Sequence, residues 1–227
     1  MPPPIRQLVS YCEAHPIDQH PFLHASSSTP EPLTKVYDIL ANAYGLAVNF
    51  PPWLAGVISH ADDRRIQCLL AKQLNSELGD GDPGRMHLVL YQRALALLAP
   101  FRPPLPTDEA TAPGEKFVQS AELYYCSSNP YEALGAVMAG EVYGSQFFAW
   151  LGSALTNQTQ LDVSSLHWYG AHETLESEHA EDSSVIGELV PDLPAHREAV
   201  WRGALGMDWV IKSFLDDLHR RYVVELP

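Results

Sequence analysis

Three residues in the C-terminal third of the chain carry metal-binding side chains at helical spacing. His172, Glu176 and His179 follow one another at intervals of four and three positions. At about 100° per residue, all three fall within about 60° of one another on one helix face. A chain with ten histidines can contain this pattern by chance. The motif therefore indicates a metal site only if further ligands accompany it.

Glu141 is a further candidate ligand, because it interrupts the apolar face of another predicted helix. Its neighbours one and two turns away, Val137, Met138, Ser145 and Phe148, are apolar or small. A carboxylate on such a face is costly unless it is paired or bound to a metal. A buried ion pair is the alternative interpretation of Glu141.

Glu77 and His87 complete the set, although neither would be singled out alone. Taken separately, they are an acid at a helix end and a histidine in the first turn of the next helix. Together the six residues supply three carboxylates and three imidazoles, whose charge of −3 suits the +4 of two ferrous ions and leaves coordination positions for dioxygen and substrate. The predicted metal ligands are Glu77, His87, Glu141, His172, Glu176 and His179, and no other catalytic residue is predicted.

These ligands and their surroundings resemble the haem-oxygenase-like diiron oxidases and oxygenases over most of the chain. The resemblance rests on His20-Pro-Phe-Leu, on Val48-Asn-Phe-Pro-Pro-Trp-Leu-Ala, and on Glu77 followed ten positions later by His87. The third ligand of that family, a Glu in the middle of a helix, falls on Glu141. Its final motif, His-x-x-x-Asp/Glu-x-x-His, falls on residues 172–179, where many members have Asp in place of the Glu found here.

The resemblance implies an all-α, seven- to eight-helix haem-oxygenase-like bundle with two Fe(II) ions and dioxygen as cosubstrate. The implied reaction is C–H or N oxidation of a small molecule in specialised, natural-product metabolism. An external electron donor and a homodimer are compatible with it. Relatives of this fold also include cofactor-independent oxidases and thiamin-degrading enzymes, which do not require all six ligands. A metal-free helper or interaction protein, with the six residues as a buried polar network, is a further alternative.

The substrate favoured by the sequence is an aliphatic amino acid. Asp208 and Lys212 are four positions apart on a partly apolar helical stripe, where they could meet an ammonium and a carboxylate. An ordinary internal ion pair is the alternative interpretation of these two residues. The second choice of substrate is a fatty acid, oxidised or decarboxylated at the same site.

Helix signals occur along the whole chain, and no run of alternating β-branched residues is followed by a hairpin turn. We therefore expect an all-α fold in a single domain spanning residues 1–227. A connection with five prolines covers residues 100–113. The first long helix is predicted to start at a Thr29 cap with Pro30 in its first turn, to run through Val48, and to kink or break at Pro51-Pro52. The next two are predicted over about 62–78 and from Asp82-Pro83 through Leu98. The last three are predicted from Pro130 to about Leu155, over about 162–182 and over about 194–222.

Composition excludes several classes of partner. The net charge is −14, from 28 acidic and 14 basic residues, which argues against nucleic acid because phosphate binding needs a concentrated cationic surface. No apolar run reaches the roughly 20 residues of a membrane span, and the N-terminus lacks the apolar core of a signal peptide. We expect a cytoplasmic protein without a membrane partner, in which Cys12, Cys68 and Cys126 are reduced and mostly buried.

Overall fold

The computed structural model describes residues 2–23, 32–102, 112–155, 169 and 181–224, with side chains as far as residue 221. These residues form α-helices joined by short 3-10 turns and contain no β-strand, which confirms the predicted all-α class. The helices are α1 (Leu8–Ala14), α2 (Leu33–His60), α3 (Arg64–Glu77), α4 (His87–Leu98), α5 (Ala112–Tyr125), α6 (Pro130–Leu155), the described part of α7 (residues 181–189) and α8 (Pro194–Val224).

Helix α6 forms the centre of the fold. Every residue from Ala133 to Ala139 is buried, so the helix is covered on all sides and not along one stripe. It packs most extensively against α8 and also contacts α1, α2 and α5. A polar side chain in the middle of α6 therefore points into the interior of the molecule.

Two glycines allow the close approach of α6 and α8. A Cβ added to Gly135 would lie 2.0 Å from the carbonyl oxygen of Val200, and one added to Gly203 would lie 1.9 Å from that of Glu132. No side chain could be accommodated at either position without separating the helices. The glycines thus fix the position of α6 against α8 and, with it, the position of Glu141.

Helix α2 continues through Pro51 and Pro52, so of the predicted kink or break at this pair the break does not occur. Each proline removes an amide hydrogen that would otherwise bond to the carbonyl four residues earlier. Aromatic packing on both sides of the pair supports the helix here. Phe50 lies edge-on to Tyr125 with ring centroids 5.7 Å apart, and Trp53 stacks on the same ring at 5.4 Å.

The connection between α3 and α4 is short and tightly held. Asp63 caps α3 by accepting a hydrogen bond from the amide of Arg65 at 2.7 Å. The helix ends before Gly79, whose positive φ of 83° suits glycine. Asp82 then caps a 3-10 turn over Pro83–Arg85, and α4 begins at His87 after Met86, whose ψ is 133°. The predicted helix start at Asp82-Pro83 is therefore wrong, because this turn does not continue into α4.

Other predicted helix boundaries differ from the structure or lie outside it. Helix α2 begins at Leu33, because Pro32 has a ψ of 132°, which is not helical. The Thr29 cap falls outside the described residues, as does most of the helix predicted over 162–182, although α7 extends to 189, past the predicted end. The predictions for α6 and for the last helix agree with the structure to within about two residues.

One cluster of buried apolar residues includes contributions from every helix, from Ile5 near the N-terminus to Leu218 in α8. The single domain over residues 1–227 stays a prediction. Among the described helices, none is at once long enough and apolar enough to cross a bilayer. Of the three cysteines, Cys12 is buried, whereas Cys68 and Cys126 are exposed, so the prediction of mostly buried thiols is wrong.

Candidate metal centre

Three of the six predicted ligands line the same internal cavity, each from a different helix. Glu77 is the last residue of α3, His87 is the first residue of α4, and Glu141 lies in the middle of α6. The cavity has a volume of about 210 Å³. Residues separated by up to 64 positions in the sequence, counted from Glu77 to Glu141, thus face the same cavity.

Glu77 and His87 are in direct contact across the turn that joins α3 and α4. Nδ1 of His87 lies 3.0 Å from Oε2 of Glu77, and the two side chains are only 8% and 14% exposed. A carboxylate oxygen and an imidazole nitrogen at this separation can donate to one metal ion with little movement. The short connection places them together because α4 starts at His87 itself.

Glu141 is buried among aromatic residues, with 7% of its surface exposed. The ring of Tyr125, on α5, lies beside it, and the Tyr125 hydroxyl closely approaches Gly140, where a Cβ would lie 2.3 Å from it. Burial and the Glu141 carboxylate both raise the pKa of the Tyr125 phenol, which therefore stays protonated. Tyr125 also lines the cavity, so a protonated hydroxyl group accompanies the carboxylate there.

The other three predicted ligands, His172, Glu176 and His179, lie outside the described residues. Within the described residues, no group of three or more His, Cys, Asp and Glu side chains is arranged to hold a metal ion. The described half of the candidate centre consists of the Glu77–His87 pair and Glu141.

The rest of the cavity wall is apolar and rich in aromatic rings. It comes from α2, α5, α6 and α8 and from the turn that follows α1. Its lining includes Ile17, Ile39, Ala43, Leu46, Ala47, Phe50, Phe117, Phe147, Phe148, Met207, Ile211, Phe214 and Leu215. Water would be poorly held in such a space, and an apolar molecule would be favoured.

Tyr143 is a cavity residue that the sequence did not single out. It lies two positions after Glu141, is 1% exposed, and donates a hydrogen bond from its hydroxyl to Oδ1 of Asp208 at 2.6 Å. Its hydroxyl also contacts the buried thiol of Cys12. Burial, followed by the neighbouring Cys12 and Asp208, raises the pKa of this phenol. Because α6 is buried on all sides, no apolar periodicity distinguishes Tyr143 from a core residue.

Asp208 and Lys212, the predicted substrate contacts, form an ion pair with each other. Nζ of Lys212 lies 2.6 Å from Oδ1 of Asp208, the oxygen that also accepts from Tyr143. Neither side chain is among the described residues that line the cavity, whereas their helix neighbours Met207 and Ile211 are. The pair therefore supports the cavity wall from behind through Tyr143.

A sequence model of a protein family described as iron-containing redox enzymes matches residues 38–209. The chain belongs to this family. The match spans Glu77, His87 and Glu141 as well as the segment that contains the other three predicted ligands. No curated protein matches the chain in sequence.

Solved structures show the same fold at low sequence identity. A CADD-like protein of unknown function from Nostoc punctiforme has a TM-score of 0.71 and 13% identity, over 95% of each chain. A domain of unknown function with a haem oxygenase-like fold from Shewanella denitrificans has a TM-score of 0.70 and 14% identity, over 97% of this chain and 92% of that one. The predicted haem-oxygenase-like fold is thereby confirmed.

The described residues of the candidate centre fit an iron site. Carboxylate oxygens and an imidazole nitrogen are donors that suit iron. Two of the three, His87 and Glu141, are among the few polar residues that the fold buries, in a cavity whose other walls are apolar. Burial of such groups is costly without a compensating charge, and a metal cation would provide one.

Proposed function

We propose that this protein is a non-haem diiron oxidoreductase that uses dioxygen to oxidise a small molecule. The observation that carries the proposal is that Glu77, His87 and Glu141, from three helices, line one internal cavity in a chain of the iron-containing redox enzyme family. His172, Glu176 and His179 would supply the remaining donors. Two irons would balance the three carboxylates and leave charge for dioxygen or substrate.

Iron bound at this site would supply dioxygen binding and one-electron chemistry. The described residues would have three tasks. Glu77, His87 and Glu141 would hold the metal, and the aromatic walls would exclude water from it. The Tyr143–Asp208–Lys212 chain would fix the orientation of the Tyr143 ring at the cavity wall.

The number of electrons that the reaction requires determines whether the protein needs an external electron donor. Full reduction of dioxygen to water takes four electrons, and removal of hydrogen from a substrate supplies two of them. We therefore expect that an external electron donor supplies the other two, unless the substrate is oxidised by four electrons. A reduced small-molecule or protein donor would serve equally in this role.

The proposal is tested by anaerobic titration of the metal-free protein with ferrous iron, followed by mixing with oxygenated buffer. We expect uptake of two irons per chain and consumption of dioxygen that depends on them. Protein loaded with zinc, which has no redox chemistry, is the control and should consume no dioxygen. If the chain takes up no iron, the metal-free helper protein becomes the better account.

A further inference from the structure

The buried thiol of Cys12 contacts the hydroxyl of Tyr143, although the two residues are 131 positions apart, counted from 12 to 143. Both residues are 1% exposed. Cys12 belongs to α1 and Tyr143 to α6, and the side chain of Gln146 joins these helices. It donates to the carbonyl oxygen of Cys12 at 3.2 Å and accepts from the amide of Ile17 at 2.9 Å. The packing of α1 on α6 therefore holds the thiol against the phenol.

Tyr143 stands between this thiol and the cavity of the candidate metal centre. Tyr143 lines the cavity, whereas Cys12 is not among the described residues that do so. Oxidation of a cysteine by reagents in solution depends on its exposure, so Cys12 is shielded from them, unlike the exposed Cys68 and Cys126. An oxidant generated inside the cavity would meet the phenol first and the thiol directly behind it.

The hydrogen bond from Tyr143 to Asp208 favours oxidation of the phenol. A phenol loses an electron more readily when a positioned base accepts its proton in the same step. The hydroxyl of Tyr143 lies 2.6 Å from Oδ1 of Asp208, which can serve as that base. Lys212 lies 2.6 Å from the same oxygen and its side chain is 37% exposed, so this chain of groups leads from the phenol to solvent. The proton can thus leave on the side away from the cavity.

We propose that Cys12 and Tyr143 form an oxidative modification site, at which the cysteine sulfur becomes bonded to the ring carbon beside the tyrosine hydroxyl. Only one ring carbon separates this position from the hydroxyl oxygen that the thiol contacts. The S–H bond and one ring C–H bond break, and a C–S bond forms. The two electrons and two protons that are released reduce one dioxygen to hydrogen peroxide. The inference rests on the proposed function, because the iron site would supply the reaction with dioxygen.

The test uses the full chain with Cys68→Ser and Cys126→Ser, in which Cys12 is the one remaining cysteine and no disulfide can form within the chain. Metal-free protein is loaded with ferrous iron under anaerobic conditions and then mixed with oxygenated buffer. Iron content, dioxygen consumption and intact mass are measured on the same sample. We expect the mass to fall by two hydrogen atoms and the free thiol to be lost, even after denaturation with a reducing agent. Tandem mass spectrometry of a digest should find the Cys12 peptide joined to the Tyr143 peptide.

A matched pair of variants in the same background locates the modification. Tyr143→Phe removes the hydroxyl that contacts the thiol and should keep both its mass and its thiol. Tyr124→Phe, at a tyrosine of α5 outside the described cavity lining, should lose two hydrogen atoms like its parent. If Tyr143→Phe fails to fold by circular dichroism, Cys12→Ala replaces it and should also keep its mass. Zinc-loaded protein in oxygenated buffer should remain unmodified, because zinc has no redox chemistry.

The outcomes separate this inference from the proposed diiron activity. If the protein takes up no iron, or consumes no dioxygen when loaded, the proposed function and the inference are both wrong. If it takes up two irons and consumes dioxygen but its mass stays unchanged or rises by one oxygen atom, only the inference is wrong. Loss of two hydrogen atoms that Tyr143→Phe also shows would place the modification elsewhere and overturn the inference. Loss that requires both Cys12 and Tyr143 supports it.

Discussion

Replacement of Glu141 by Gln distinguishes a metal ligand from a structural carboxylate. The change removes one negative charge from a side chain that is 7% exposed and keeps its shape. In the metal-free protein, Glu77 contributes a second carboxylate to the same cavity, so loss of the Glu141 charge should relieve repulsion and desolvation. We expect the free energy of unfolding to stay constant or to rise by up to about 2 kcal/mol. A buried ion pair would instead lose about 3–5 kcal/mol.

With iron bound, the wild type should be more stable than Glu141→Gln. At free iron a hundredfold above its dissociation constant, one site adds about 2.7 kcal/mol to the stability of the wild type. For a chain of this length, each kcal/mol raises the Tm by about 2–4 °C, which gives an increase of about 5–11 °C. Glu141→Gln should lose most of this increase, because a neutral amide is a poorer iron ligand than a carboxylate.

Thermal unfolding followed by circular dichroism, under anaerobic conditions with and without ferrous iron, provides the assay. Glu122→Gln, the same substitution at an exposed position of α5, is the control and should show the full increase in Tm with iron. The reasoning is refuted if Glu141→Gln lowers the Tm of the metal-free protein strongly, or if it retains the increase seen with iron.

Three further predictions concern the scaffold around the cavity. Gly135→Ala should destabilise the protein by about 1–3 kcal/mol in urea denaturation, because its Cβ would lie 2.0 Å from the carbonyl oxygen of Val200. The control is Gly56→Ala, which has open space around it and should be neutral or stabilising by up to about 1 kcal/mol. Burial raises the pKa of the Cys12 thiol from 9.0 to about 11, so the unfolded chain loses this proton first. The free energy of unfolding should therefore fall as the pH rises through this range, by at most about 2.7 kcal/mol, and less steeply in Cys12→Ala. Lys212→Met should change stability by less than about 1 kcal/mol and leave oxygen consumption within about threefold, whereas a substrate anchor would lose far more.

The helices and part of the site follow from local sequence signals. Asp63 and Gly79 mark the two ends of α3, and Pro130 marks the start of α6, because capping depends on only a few neighbouring residues. The proximity of Glu77 and His87 also follows from a short connection between two helices. The exact start of α4 does not, since the 3-10 turn after Asp82 satisfies the same signals as a helix start.

Tertiary packing determines the features that the sequence did not reveal. The continuity of α2 through its two prolines depends on aromatic contacts with Tyr125, which is distant in the chain. The engagement of Asp208 by Tyr143 depends on how closely α6 and α8 approach. Spacing within one helix predicts which side chains share a face, but not what that face contacts.

The most direct test of the diiron proposal is X-ray diffraction from crystals of the iron-loaded protein at the iron absorption edge. We predict two anomalous peaks within the cavity that Glu77, His87 and Glu141 line. No anomalous peak in the cavity, or iron bound only at surface residues such as His60 or His196, would contradict the proposal.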